Sequence, residues 1–181
     1  MADTLSGSML IKLDAVLQNV LANSLGTASA SISFSNSVSI TDGTTADKAD
    51  KVWASTGRTL SGAADETIDL YDFGSLDIGA GAGKDPLSGA LALAEIMALV
   101  VYNRTTSTGT LTIGADGTTA AWNSIFNGDD EAALTLKPGG VFAITCPPDP
   151  AYAVADTSNH LLKLASSASL TYDIYIIGRS A

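Results

Sequence analysis

Histidine and cysteine are nearly missing from this chain: His160 and Cys146 are the only ones in 181 residues. No pair of histidines, no Cys-x-x-Cys and no His-Glu-x-x-His can be built within one copy, which excludes a zinc site. A Ser–His–Asp triad would have to use His160, and no Gly-x-Ser-x-Gly elbow is present to raise a serine toward it. His160 follows the polar stretch Asp156-Thr157-Ser158-Asn159 and reads as an exposed turn residue. A single cysteine cannot close a disulfide within the chain, so no oxidising compartment is implied, and Cys146 reads as a small buried hydrophobe on a strand.

Positive charge is equally scarce. Nine Lys and Arg face nineteen Asp and Glu, for a net charge of −10, and the nine are scattered with no run or stripe. Such a chain repels phosphate backbones, whose binding depends on Lys and Arg, so nucleic acid is excluded as a partner. Long apolar runs are absent too. The stretch Met9–Leu25 is broken by Lys12, Asp14, Gln18 and Asn19, and is neither the apolar core of a secretory signal nor a membrane span. Aromatic residues make up only 6%. Trp53, Trp122, Tyr102 and Tyr152 could in principle form a sugar-stacking surface, but their scatter favours core or interface anchors.

Charged residues total 15%, against roughly 25% in ordinary soluble domains. Hydrophobic residues reach 46% and the mean hydropathy is +0.26. Thin charge with ample apolar residue suits a surface partly buried against other chains.

The ordering of those apolar residues predicts strands. Ser31–Ile40 reads SISFSNSVSI, with Ile32, Phe34, Val38 and Ile40 on one face, Asn36 among them, and five serines on the other. Lys51–Leu60, Glu66–Leu70, Thr110–Ile113, Ala132–Leu136, Val141–Cys146, Leu161–Ala165 and Leu170–Ile177 repeat the grammar, mostly bounded by Gly, Asp, Asn, Pro or Ser. Both faces of the last run become apolar toward its end, as expected of an interior strand or one beneath a subunit contact. Lys137-Pro138-Gly139-Gly140 is a turn, which predicts a hairpin over Ala132–Cys146, ended by Pro147-Pro148-Asp149-Pro150. Leu91–Glu95 fits a helical turn before a buried strand at Leu99–Tyr102. Met9–Leu25 places Leu10, Leu13, Val16, Leu17, Val20, Leu21 and Leu25 near helical spacing, with Ser8 as N-cap and Gly26 as stop, and so predicts a helix. The expected architecture is all-β, a β-sandwich or jelly roll over residues 29–181, with an N-terminal helix or arm over 1–28.

Two features that suggest ligands are weak. In Gly79–Pro86, counting back from Gly83-Lys84 puts Ile78 where a phosphate loop needs its first glycine, and Asp85 stands where it needs a hydroxyl. Asp129-Asp130-Glu131 and the group Asp65, Glu66, Asp69 and Asp72 are rich in oxygen ligands, but neither has the spacing of an EF-hand loop, and both read as solvated acidic turns. No catalytic residue, cofactor or metal is therefore assigned.

The wording of the strands carries a resemblance. Ala49-Asp50-Lys51-Val52-Trp53 leading to Arg58-Thr59-Leu60, then Ala64-Asp65-Glu66-Thr67-Ile68-Asp69-Leu70, is similar to a group of tailed-bacteriophage virion structural proteins. So are Lys137-Pro138-Gly139-Gly140-Val141-Phe142, the stretch from Tyr152-Ala153-Val154 to Leu161–Ala165, and Thr171–Gly178, so that the likeness runs from about Ser31 to Ser180. The chain resembles jelly-roll capsid decoration (cement) proteins. The glycine-rich loop at 79–84 departs from their pattern. The resemblance implies a homotrimer on the capsid exterior that binds the major capsid protein and braces the head, with no enzymatic activity. A fibre, spike or collar component binding a host glycan is the alternative. Leu10, Leu13, Leu17, Trp53 and Tyr175 are the expected contact residues.

Overall fold

The computed structural model describes residues 4–20, 27–73, 91–114 and 116–180. These residues form twelve strands and no α-helix: β1 (Ser6–Val20), β2 (Thr27–Asp42), β3 (Lys48–Ala49), β4 (Lys51–Leu60), β5 (Asp65–Asp69), β6 (Glu95–Asn103), β7 (Leu111–Gly114), β8 (Ala133–Leu136), β9 (Val141–Thr145), β10 (Tyr152–Ala153), β11 (Leu161–Ser166) and β12 (Leu170–Arg179).

From β4 onward the pairing is nested. β4 pairs with β12, β5 with β11, β6 with β9 and β7 with β8, every pair antiparallel, so the chain folds back on itself about the β7–β8 connection. β12 also pairs with β6, and β11 with β7, which rolls this ribbon into two sheets. One runs β4-β12-β6, with β9 and β10 sharing the far edge of β6, and the other runs β5-β11-β7-β8. That connectivity is a jelly roll. Trp53, Leu99, Val101, Tyr172, Ile174 and Ile176 from the first sheet meet Ile68, Leu111, Ile113, Leu162 and Leu164 from the second, all buried. Each such side chain contributes roughly 1.5–3 kcal/mol by leaving water.

Buried polar groups tie the two sheets together. The Tyr172 hydroxyl donates to Glu66 on β5 and accepts from Arg58 Nε on β4 at 3.1 Å, while Arg58 also pairs with Glu66. Burial, with Glu66 beside it, pushes the Tyr172 phenol far above its ordinary value, so it stays a donor. At the barrel corner Asn103 Nδ2 donates to Gly109 O and Leu136 O, both at 3.0 Å.

Three local expectations are overturned. The predicted helix over Met9–Leu25 is extended: Met9 to Val20 lie in β1, each paired with a residue of β2, and 21–25 fall outside the described residues. Ser8 is therefore a mid-strand residue and caps nothing. The predicted hairpin over Ala132–Cys146 does not form. β8 pairs with β7 and β9 with β6, so the turn at 137–140 is a crossing between sheets. That turn docks on Asn103, whose carbonyl accepts from Gly139 N at 2.8 Å and whose N–H donates to Gly140 O at 3.0 Å. Finally, Leu91–Ala94 is not a helical turn but an extended approach to β6, held by Leu93 N to Leu70 O at 3.2 Å and Ala94 N to Arg179 O at 2.8 Å. The loop at 79–84 lies outside the described residues.

Candidate interaction surface

β1 and β2 form a long antiparallel hairpin in register from Ser6↔Thr41 to Val20↔Thr27. The register sorts its side chains, because residues directly opposite share a face. One face carries Met9–Val38, Ile11–Asn36, Leu13–Phe34, Ala15–Ile32 and Leu17–Ala30. The other carries Ser8–Ser39, Leu10–Ser37, Lys12–Ser35, Asp14–Ser33, Val16–Ser31 and Gln18–Ser29. The polar face satisfies itself: Lys12 Nζ lies 2.6 Å from Asp14, and Ser33 Oγ donates to Asp14 at 2.7 Å. Lys12 and then Ser33 hold the Asp14 carboxyl below its usual value. Between Met9 and Leu17 the apolar face contains no formal charge and one amide, Asn36.

Exposure along that apolar face rises from root to tip. Ile40 is buried against Met97 and Ala49, with Val38, Leu5 and Ile177 packed around them. Phe34 is already 53% exposed, Ile32 66% and Leu17 76%. From Met9 to Leu17 the face is about 27 Å long and two strands, about 10 Å, wide. A lone two-stranded hairpin is marginal in water and normally needs a third strand or a packing layer. Burying what remains exposed of Leu13, Leu17, Ile32 and Phe34 would contribute roughly 4–8 kcal/mol before ordering costs.

The two sheets of the body also present different chemistry outward. Lys163 stands between buried Leu162 and Leu164, so its side chain faces away from the core. Its cross-strand neighbour is Thr67, and the same face bears Asp65, Thr112 and Thr135. Lys163 Nζ sits 3.5 Å from Asp65 and 3.9 Å from Asp116. This is the polar outer face expected of a solvated antiparallel sheet.

The β4-β12-β6-β9 sheet breaks that rule. Tyr175 lies between buried Ile174 and Ile176, faces outward, and is 42% exposed. Opposite it are Val100 on β6 and Ala54 on β4, and next to Val100 lies Ala143 on β9. One step along, Tyr102 neighbours Val141, itself 58% exposed. Around Tyr175, Tyr102 and Val141 the charge is confined to the Arg104–Asp173 pair, while at the other end of the face the buried Arg179 pairs with Glu95. Asp173 sits at a bulge where the register of β4 against β12 shifts. It accepts from Gly57 N at 2.6 Å, and from Arg104 Nε and Nη2 at 3.0 and 2.7 Å. Gly57, at φ 71°, supplies the left-handed backbone the bulge needs.

Arg104, then the Gly57 N–H, holds the Asp173 carboxyl below its ordinary value. A depressed carboxylate stabilises the fold above its unfolded value, about 3.9, and loses that contribution as pH falls through the folded value. Asp173→Asn should therefore lower the urea midpoint at pH 7. The gap to wild type should narrow between pH 5 and pH 3, and a pH-independent gap would contradict this assignment.

Of the expected contact residues, Leu10, Leu13 and Leu17 are exposed on the hairpin and Tyr175 on the sheet. Leu13 and Leu17 share the apolar face, while Leu10 lies on the polar one. Trp53 is a correction: at 1% exposure it belongs to the core, its ring centroid 5.3 Å from that of Phe73. Trp122 is buried too, with Nε1 donating to Ala153 O at 3.0 Å, so the two indoles offer no sugar-stacking face. His160, expected in an exposed turn, has a side chain only 14% exposed. The acidic turns are occupied internally: Asp69 accepts from Tyr71 N and Asp72 N, Asp129 from Glu131 N, and Asp130 from Asn123 Nδ2. Among the described residues no three His, Cys, Asp or Glu side chains gather as a metal site, and no helix is long and apolar enough to cross a membrane. Phe34, Ile32, Val100 and Val141 were not expected as contact residues. The serine-flanked alternation of Ser31–Ile40 marked the first two as one face, but gave no sign that the face is bare.

Compared with known proteins, the chain matches no family model, and no curated protein sequence matches it.

Proposed function

We propose that the protein is a capsid decoration (cement) protein of a tailed bacteriophage, a homotrimer that sits on the outer capsid surface, binds the major capsid protein and braces the head. The observation that carries this reading is the uncharged apolar face of the β1–β2 hairpin, left without a partner among the described residues. A single copy gains nothing from exposing Leu13, Leu17, Ile32 and Phe34, whereas an assembled one buries them. The resemblance of the strands to tailed-bacteriophage virion proteins and the jelly-roll body support the same reading. A cement protein acts by burying surface across several subunits, so that separating them must expose that surface again. Area alone does not set affinity, and repetition around a trimer adds avidity. The net charge of −10 keeps the exposed remainder soluble.

The test is reconstitution. Purified protein is added to heads of the encoding phage that lack it, and bound copies are counted and imaged by cryo-electron microscopy. Hundreds of copies on the outer lattice, with heads that resist heat better, are the expected result. About a dozen copies at a collar or tail, or none on the head, would overturn the reading.

A further inference from the structure

We infer that the apolar face of the β1–β2 hairpin packs on the outer face of the β4-β12-β6-β9 sheet of a second copy of this chain. This deepens the oligomeric part of the function proposed above and rests on it only for the claim that copies associate.

The hairpin shows what kind of surface it fits. At its root, Val38 and Ile40 pack against Met97 of β6 and Ile177 of β12, together with Ala49. The same face then continues outward with side chains of the same chemistry, Phe34, Ile32, Leu13 and Leu17, and nothing among the described residues covers them. The surface that accepts the root is one end of the sheet whose outer face continues through Tyr175 and Val100 to Tyr102 and Val141. Among its described residues each copy thus carries an apolar hairpin face without a seat and an apolar sheet face without a cover. Two sheets that pack face to face lie about 10 Å apart with strands within roughly 30°, a geometry open to a flat two-stranded ribbon.

Charge favours a copy over a foreign partner. A molecule at net −10 repels itself wherever its acids meet. From Met9 to Leu17 the hairpin face bears no charge, and the charges on the sheet face are internally neutralised in the Arg104–Asp173 and Arg179–Glu95 pairs. A partner chosen by electrostatic complementarity would find nothing to read on either face. Because the two contacting surfaces differ, the contact is heterologous and closes into a ring when the rotation allows, a trimer being the proposed closure. The footprint of one seated hairpin is about 270 Å². In a ring each copy both gives a hairpin and receives one, which doubles the area per copy.

Three measurements on the full chain test this. Sedimentation equilibrium of the wild type should give a multiple of 18.3 kDa. The variant Leu13→Asp/Phe34→Asp, altered where the hairpin is solvent-exposed, should fall to the mass of one chain with an unchanged far-ultraviolet circular dichroism spectrum. In a Cys146→Ser background, Phe34→Cys mixed with Tyr175→Cys should form a disulfide-linked pair on mild oxidation, severalfold more than either alone. A wild type of single-chain mass overturns the proposal. So does retention of the oligomer by a folded double variant, or cross-linking of Phe34→Cys to itself with no gain on mixing, which would mean hairpin on hairpin. If the double variant loses its fold, the cross-link decides. A protein that forms the cross-link yet fails to bind heads would sink the capsid reading and leave this contact standing. A monomer that binds heads would do the reverse.

Discussion

Arg179→Ala is expected to destabilise the protein by about 3–5 kcal/mol, the cost of breaking a buried ion pair from one side. Arg179 is 2% exposed although it belongs to the outer face of β12. Its guanidinium pairs with Glu95 on β6 and donates to three backbone carbonyls: Nε to Lys48 O at 2.9 Å, and Nη2 to Pro147 O at 2.7 Å and Pro148 O at 3.1 Å. One side chain therefore joins β3, β6, β12 and the proline segment that covers this end of the sheet. Alanine would remove a donor from a carboxylate and from three carbonyls, of which Pro147 O keeps the Asp47 N–H at 2.9 Å. Glu95 keeps one protein partner, accepting from Ala151 N at 3.1 Å, and with its side chain only 17% exposed water replaces the lost pairing in part. Arg179→Met/Glu95→Gln should lose distinctly less than Arg179→Ala, because no ionised group is left unpaired. Urea unfolding of the three proteins measures both differences. A loss below 1 kcal/mol for Arg179→Ala would mean that the proline segment is held by packing alone. The network also bears on the proposed contact, since β3 and the proline segment stand beside the Ile40–Met97–Ile177 root from which the hairpin extends.

How far the fold could be read from the sequence depended on how faithfully each strand kept period two. Ser31–Ile40 kept it with Asn36 as the one polar residue on the apolar face, and its strand assignment follows from that, although of that face only Ile40 is fully buried. β1 hid the same alternation. Its odd residues Met9, Ile11, Leu13, Ala15 and Leu17 are all apolar, but Leu10 and Val16 on the even face fill in a helical spacing with Leu13, Leu17 and Val20. Only the opposing serines of β2, brought into register by pairing, separate the two faces. Strand β4 breaks its own parity. Trp53 and Leu60 both point inward although one is odd and one even, because the bulge at Gly57 and Asp173 resets the count between them. A turn such as Lys137–Gly140 fixes the local backbone but not the partner of the strand that follows, which here is chosen by β6 and by Asn103. The contact surface was half readable for the same reason. Leu13, Leu17 and Tyr175 were found as apolar residues needing cover, while Val100 and Val141 became part of a face only once four strands had been laid side by side.

Trp53→Ala separates the core reading of that residue from a contact reading, and it is expected to cost about 3–5 kcal/mol. Trp53 is among the largest fully buried side chains, and the vacated volume lies between β4 and Phe73, where the backbone is pinned by pairing with β12 on one side. A site held in that way collapses poorly, so much of the cavity would persist. The indole N–H has no hydrogen-bond partner among the described residues, so its loss forfeits packing and no specific bond. Trp53→Phe, which keeps an aromatic ring against Phe73, should accordingly cost less than half as much. Because the side chain does not reach the surface, neither substitution should change the oligomeric mass of the folded fraction. That is the opposite of the expectation for Leu13→Asp/Phe34→Asp, which should change mass and leave the stability of the jelly-roll body nearly intact. Thermal unfolding followed by circular dichroism, with sedimentation on the same samples, reads both quantities. A Trp53→Ala protein that melts like wild type but sediments as a single chain would move this residue back to the interface.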